Sequence, residues 1–208
     1  MSFRDRTDAG RLLAGALGAF RGADAVVLAL PRGGVPVASE IAAAIHAPLD
    51  LVIVRKIGVP SQPELAMGAV VDGPHPLTVR NEEVISMAGV GQSQFDAIRD
   101  RELAEIRRRR SAYLGNRPHP SLAGRVAIVV DDGIATGATT RAALQSIRRQ
   151  KPGKIVLAVP VAPSDTLEEL RKEADEVVCL EVHDMLGAIG AYYRDFGQVS
   201  DEEVNAIL

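Results

Sequence analysis

The sequence predicts an α/β fold: a mainly parallel, twisted sheet flanked by helices. Three observations carry that prediction. Short apolar runs rich in β-branched residues recur at 25–30, 49–54, 127–130, 154–161 and 176–182, as strands buried on both faces require. Helix-forming stretches separate most of them, and alternating strand and helix favours parallel βαβ units. Two of the runs stop at glycine-rich turns leading straight into helical sequence, the place where open α/β sheets bind ligands.

In chain order, residues 3–20 begin with charges and then set Leu12, Leu13, Ala16, Leu17 and Phe20 at amphipathic spacing. That predicts a helix packed on the sheet. Phe3, Arg4 and Asp5 could seat the N-terminus, but no chemistry attaches to them. The strand at 25–30 ends in Pro31, Arg32, Gly33 and Gly34, and 35–45 continue as a helix with little charge. An arginine and two glycines can present guanidinium and backbone donors to a diphosphate. The run 49–54 ends in Arg55 and Lys56, two cations at the carboxyl end of a predicted strand and placed for the same anion.

Residues 58–64, GVPSQPE, hold too many turn formers for a regular element. Residues 65–71 and 77–79 predict a hairpin or two short strands around Asp72, Gly73 and Pro74. A long charged helical segment follows at 82–116, with Phe95, Ile98, Ile106 and Tyr113 near one face and Glu105 able to pair with Arg108 and Arg109. It covers the core or meets another copy of the chain in a homodimer. Arg107 to Arg110 are consecutive, so they point round the helix and read as a solvated face, not as one nucleic-acid stripe. Further on, strands at 154–161 and 176–182 enclose a helix at 165–174. The tail, 185–208, concentrates glycines and aromatics although aromatics form 3% of the chain.

The sharpest signal is 127–144, AIVVDDGIATGATTRAAL. An apolar strand stops at two carboxylates, Asp131 and Asp132. Gly133 and Gly137 allow a tight turn and close approach to a ligand. Thr136, Thr139 and Thr140 add hydroxyls, and amides at the start of the next helix can donate to a phosphate. Two carboxylates beside such a cradle can accept from sugar hydroxyls or hold a hydrated Mg²⁺. A P-loop is ruled out, because Gly137 is followed by Ala138 with no lysine.

The segment VVDDGIATGATT closely resembles the phosphoribosyl-pyrophosphate (PRPP) signature of type I phosphoribosyltransferases: two apolar residues, two acids, three residues, then Thr-Gly-x-Thr. The resemblance implies one phosphoribosyltransferase-like domain over 1–208. Within it stand a mobile loop at about 56–75, a helical insertion at about 82–116 and a small C-terminal hood at about 183–208. It implies that Asp131 and Asp132 face the ribose hydroxyls and hold Mg²⁺, directly or through water. Ala135, Thr136, Gly137, Ala138, Thr139 and Thr140 would cradle the 5′-phosphate. Arg32, Gly33 and Gly34 would form the pyrophosphate loop, which in the family often carries a strained or cis peptide. Arg55 and Lys56 would stabilise the leaving pyrophosphate, with Lys56, Ser61, Gln62 and Glu64 as candidates in the mobile loop. Tyr192, Tyr193 and Phe196 would stack on the acceptor, with Asp195 as a hydrogen-bond partner.

The implied reaction is Mg²⁺-dependent transfer of 5-phosphoribosyl from PRPP to a nucleobase or similar nitrogen acceptor, releasing pyrophosphate. No covalent nucleophile is required. Ala135 stands where hypoxanthine-guanine type enzymes carry an acid, which turns the expectation away from a 6-oxopurine. Two other readings use the same site. One is a non-catalytic PRPP-binding sensor or regulatory protein, although no basic recognition helix supports it. The other is hydrolysis, or transfer of another phosphosugar.

Composition bounds the rest. At 208 residues, 47% hydrophobic and 25% charged, with mean hydropathy +0.07, the chain can fill a sizeable core. A net charge of −3 argues against nucleic acid or an anionic membrane as partner. The one cysteine, Cys179, excludes an internal disulfide and predicts a reducing, cytoplasmic setting. Its apolar neighbours predict a buried small hydrophobe, not a nucleophile. No signal peptide or membrane span is legible, so a complete, soluble chain is expected. His46, His75, His119 and His183 lack ligand spacing, so no zinc site is expected.

Overall fold

The structure is a computed structural model describing residues 2–208. In chain order its elements are α1 (Arg6–Ala16), β1 (Ala25–Ala29), α2 (Gly34–Ile45), β2 (Leu49–Leu51), β3 (Val54–Val59), β4 (Gln62–Val71), β5 (Leu77–Arg80), α3 (Glu82–Met87) and α4 (Gln92–Leu114). They continue with β6 (Val126–Val130), α5 (Ala138–Arg148), β7 (Lys154–Pro163), α6 (Ser164–Leu170), β8 (Glu176–His183) and α7 (Asp201–Ile207). Five strands form a parallel sheet in the order β2-β1-β6-β7-β8, and β3-β4-β5 form a separate antiparallel sheet. The predicted α/β architecture is therefore the one observed.

The apolar runs are continuous because both faces of the parallel sheet are covered. Along β1, Ala25, Val27 and Ala29 pack with Leu13 and Leu17 around α1 and with Val35, Ala38 and Ile41 of α2. Val26 and Leu28 face the other way, toward Ala142, Leu144 and Ile147 of α5 and Leu167 and Leu170 of α6. Asp5 caps α1 by accepting from the Asp8 amide at 2.8 Å. Gly10 lets α1 lie close on α2, since a Cβ there would come within 2.7 Å of the Val37 carbonyl.

Two sequence expectations are corrected in the middle of the chain. The run 49–54 is not one strand. Val52 still donates to Ala29 O at 2.9 Å, but the next carbonyl, Ile53, accepts from Asp72 at 2.8 Å. The backbone has changed partners, leaving the parallel sheet for the antiparallel one. Residues 58–64 are likewise regular: β3 and β4 form a hairpin joined at Pro60 and Ser61, with register shifts on both sides of Gly58. A tight turn and a bulge absorb the turn formers. One face of this sheet gives Ile57, Val59, Met67 and Val70 to the core that holds Phe95 and Ile106 of α4. Its other face gives Val54, Ala69 and Val79 to the core around α5.

The arginine run is also corrected in part. Arg107 and Arg108 are exposed and Arg108 and Arg109 pair with Glu105 as predicted, but Arg110 is buried. Its Nη1 donates to Asp72 at 3.0 Å and its Nη2 to both Asp50 oxygens at 3.2 and 3.1 Å. This cluster, with His119 beside both acids, fastens α4 where the two sheets meet. Elsewhere, α6 is shorter than the predicted 165–174. Cys179 is half-buried, and burial pushes its thiol up to about 11, as an unreactive thiol requires. Among the described residues, no helix is long and apolar enough to cross a membrane.

Candidate functional site

The sheet order places a topological switch point between β1 and β6. From β1 the chain crosses by α2 to β2; from β6 it crosses by α5 to β7, on the other side and the other face. The loops leaving the carboxyl ends of these two neighbours therefore open a crevice together. Leu30 N donates to Val130 O at 2.9 Å, which holds the two loop roots in contact.

The glycines of the first loop are required by the second. A Cβ on Gly34 would lie 2.7 Å from Val130 O and 3.0 Å from Asp131 Cα, and one on Gly33 would overlap the Asp132 carboxylate. The peptide joining Pro31 to Arg32 is cis. The predicted pyrophosphate loop and the predicted ribose-binding diacid are thus in direct contact, though separated by about a hundred residues of chain.

Both carboxylates are hemmed in. Asp131 accepts from the Asp132 amide at 2.9 Å. Burial first, and the neighbouring Asp132 charge second, lift the Asp131 carboxyl well above the ordinary carboxylate range. Asp132 pairs with Arg6, whose Nε lies 2.7 Å from Oδ2, both side chains being largely covered. Arg6 also donates from Nη1 to Gly197 O at 2.7 Å and lies 3.9 Å over the Phe196 ring. The Tyr193 hydroxyl donates to the Asp132 carbonyl at 2.6 Å.

Beyond the diacid, Gly133 passes so close to the tail that a Cβ would meet Ile189 at 2.5 Å. Gly137 takes the left-handed conformation at φ +70° and opens α5. The first bond of that helix runs from the Arg141 amide to Gly137 O at 2.8 Å, leaving the amides ahead of it for an anion. Ala135, Thr136, Ala138 and Thr139 stand open to solvent, whereas Thr140 is buried. Thr166 steadies the turn by donating to Ala135 O at 3.2 Å.

The remaining predicted residues separate. Arg32 reaches Asp201 at 3.6 Å, and Asp201 also accepts from the Tyr113 hydroxyl at 2.6 Å. Burial and that bond push Tyr113 up to about 12. Arg55 does not turn toward the diacid. Side chains alternate along β3, so Arg55 shares the Ile57 face and pairs with buried Glu102 of α4 at 2.8 Å. Lys56 lies on the opposite face with Val54 and pairs with Glu64 at 3.0 Å. Ser61 and Gln62 are exposed at the hairpin tip.

In the tail, Tyr193 is 3% exposed and packs on Phe3 and Phe196, at ring separations of 5.3 and 4.8 Å. Burial raises its hydroxyl pKa. It is an anchor and offers no free face for stacking, which corrects the sequence expectation. Phe196 is covered on one face by Arg6. Tyr192 is half-buried beside His183 at 4.6 Å, and Asp195 accepts from the Gly197 amide at 3.3 Å. A cavity of about 390 Å³ lies between the starts of α1 and α2, the tail and α7, lined among others by Arg6, Pro36, Asp195 and Gly197. Arg6 is the residue that sequence reasoning missed. It lies 126 positions from Asp132 and belongs to no motif, so nothing local marked it.

Among the described residues, no group of three or more His, Cys, Asp or Glu side chains could hold a metal ion. The donor set at the crevice is the diacid alone.

Comparison with known proteins points to one family. The phosphoribosyl transferase domain family matches residues 6–196. Two Mycobacterium tuberculosis proteins, Rv0571c of strain H37Rv and MT0597 of strain CDC 1551, carry names that provisionally assign them as phosphoribosyl transferases. Each is 48% identical over 206 residues, covering 99% of this chain and 46% of the relative. The chain thus spans about half the length of the curated relatives it matches. The crystal structure of TT1426 from Thermus thermophilus is 44% identical and covers 100% of this chain and 97% of its own, with a TM-score of 0.83. With the crevice between β1 and β6 assembled and the family matched across nearly the whole chain, this chain belongs to the phosphoribosyl transferase domain family.

Proposed function

We propose that the chain transfers the 5-phosphoribosyl group of PRPP to a nucleobase or similar nitrogen nucleophile and releases pyrophosphate. One observation carries the reading: the glycine loop, the diacid and the cradle before α5 converge at a single switch point, with Gly33 and Gly34 touching Asp132 and Asp131. Amides ahead of α5 would take the 5′-phosphate. Asp131 and Asp132 would accept from the ribose hydroxyls, and the 32–34 loop would take the diphosphate. A nitrogen lone pair forms the new bond at the anomeric carbon as the bond to pyrophosphate breaks, its electrons leaving with the diphosphate. Positive charge then grows on the ribose and negative charge on the leaving group, so positioning and electrostatics supply the catalysis.

Two carboxylates suit a hydrated Mg²⁺ shared with substrate oxygens, not an all-protein cage. Bound there, Mg²⁺ would offset diphosphate charge. For Lys56 to join, it must leave Glu64 as the β3–β4 hairpin closes over the crevice, a movement that would also exclude water. Arg55 is assigned to Glu102 instead. Ala135 argues for an acceptor other than a 6-oxopurine.

A second reading, a PRPP-binding sensor, is favoured by one observation. Arg32, Arg55 and Lys56 are each paired with an acid outside the diacid. The deciding experiment measures pyrophosphate release from PRPP and Mg²⁺ with pooled nucleobases and amines, with product mass read in the same tube. Acceptor-dependent release supports the transferase. Tight PRPP binding without release supports the sensor, and no PRPP binding refutes both.

A further inference from the structure

Arg6 enters the site from outside every motif. Three segments hold its guanidinium: the carboxylate of Asp132, the carbonyl of Gly197 and the ring of Phe196. The ion pair is 12% exposed on the arginine and 13% on the aspartate. Among the described residues, no other cation is paired with either acid of the diacid. A guanidinium keeps its charge at any ordinary pH. The diacid is therefore never presented to a ligand as two free negative charges.

We propose that Arg6 is a positioning residue that sets the charge of the diacid, disfavouring a bare divalent cation and favouring that cation in complex with a sugar diphosphate. The inference rests on the PRPP reading of the site. A bare divalent ion is attracted by the carboxylates and repelled by Arg6. The metal–PRPP complex carries net negative charge, so the same guanidinium attracts it. One side chain thus acts with opposite sign on the two ligands. A purely structural role would not do so, because loosening the tail or α1 would weaken both or leave both unchanged.

The test compares the intact chain with Arg6→Gln and Arg6→Lys. Mn²⁺ alone is titrated by the loss of its free-ion paramagnetic resonance signal, and Mg²⁺ with PRPP is titrated by calorimetry. Arg6→Gln should bind bare Mn²⁺ about thirtyfold more tightly, the factor that a unit charge about 4 Å from a divalent ion gives even at the dielectric constant of water. It should bind Mg²⁺–PRPP about fivefold more weakly, the factor for one opposed unit charge at that distance. Arg6→Lys keeps the charge and should stay near the native values for both. Should Arg6→Gln fail to fold, Arg6→Met, which keeps an unbranched stem against Phe196 but drops the charge, is titrated in its place, with the same opposite shifts expected. Native PRPP binding with both constants moved the same way by Arg6→Gln, or with neither moved, overturns the role of Arg6 and leaves the PRPP reading standing. Absence of PRPP binding by the native chain removes both.

Discussion

Replacing Gly33 by alanine separates the glycine's steric role from its conformational one. Gly33 has φ −60° and ψ −34°, angles that alanine adopts freely. On conformational grounds alone, Gly33→Ala should stabilise the fold by about 0.4–1 kcal/mol, by narrowing the unfolded ensemble. The new Cβ, however, would come within 2.5 Å of Asp132 Cγ and overlap the carboxylate. Asp132 cannot swing away cheaply, because Arg6 holds it at 2.7 Å in a largely covered pair. Overpacking of this kind costs about 1–3 kcal/mol, so the net change should be a loss of about 1–2 kcal/mol. In an Asp132→Ala background the clash is gone, and Gly33→Ala should be neutral or stabilising. The two backgrounds should therefore differ by about 2 kcal/mol in urea unfolding, as a double-mutant cycle. Equal effects in both would refute the claim that the loop glycine exists to admit the Asp132 carboxylate.

Other substitutions test the remaining contacts. Arg55→Met should cost about 2 kcal/mol by unfolding, because Glu102 is buried, though less than for a fully isolated charge since Arg101 still reaches it at 3.2 Å. PRPP affinity should stay unchanged; an affinity loss without a stability loss would return Arg55 to the diphosphate. Tyr193→Phe leaves the Asp132 carbonyl without its 2.6 Å donor and should lower stability by about 1–2 kcal/mol. A changed acceptor KM at native stability would instead give the hydroxyl a part in holding the acceptor. Burial, above all, holds the His119 imidazole below its ordinary 6.5, with Asp72 and Asp50 opposing and Arg110 adding to the fall. As pH drops below about 6.5 the unfolded chain takes up that proton first, so stability present at higher pH is lost as pH falls toward the folded value. His119→Asn should flatten the fall in stability between about pH 7.5 and 5; superimposable pH profiles would count against it.

Legibility in the sequence followed the range of the forces involved. The apolar runs gave four of the strands nearly to the residue, since burial on both faces leaves a local compositional mark. The segment 127–144 marked its own site, because strand end, diacid and glycine turn are consecutive. Where the signal was non-local, reading failed. Arg55 and Lys56 looked alike as neighbours at a strand end, yet adjacent positions on β3 face opposite sides, and a change of hydrogen-bonding partner at Ile53 moved both off the parallel sheet. Tyr193 looked like a stacking surface, but Phe3, at the far end of the chain, covers it. Arg110 looked solvated among four arginines; Asp50 of β2 and Asp72, just past the end of β4, hold it buried.

By itself, then, the sequence determined the α/β class, the strands β1, β6, β7 and β8 with the helices that follow β1, β6 and β7, and the presence of an acid pair beside an anion-ready turn. Those features depend on periodicity, β-branching and glycine at fixed short spacing. Tertiary structure alone decided which charges meet: Arg6 on Asp132, Arg32 on Asp201 and Arg110 between Asp50 and Asp72. Ion pairing acts over a few ångströms of space and is indifferent to distance along the chain, so only the folded sheet, with its switch point between β1 and β6, could choose the partners.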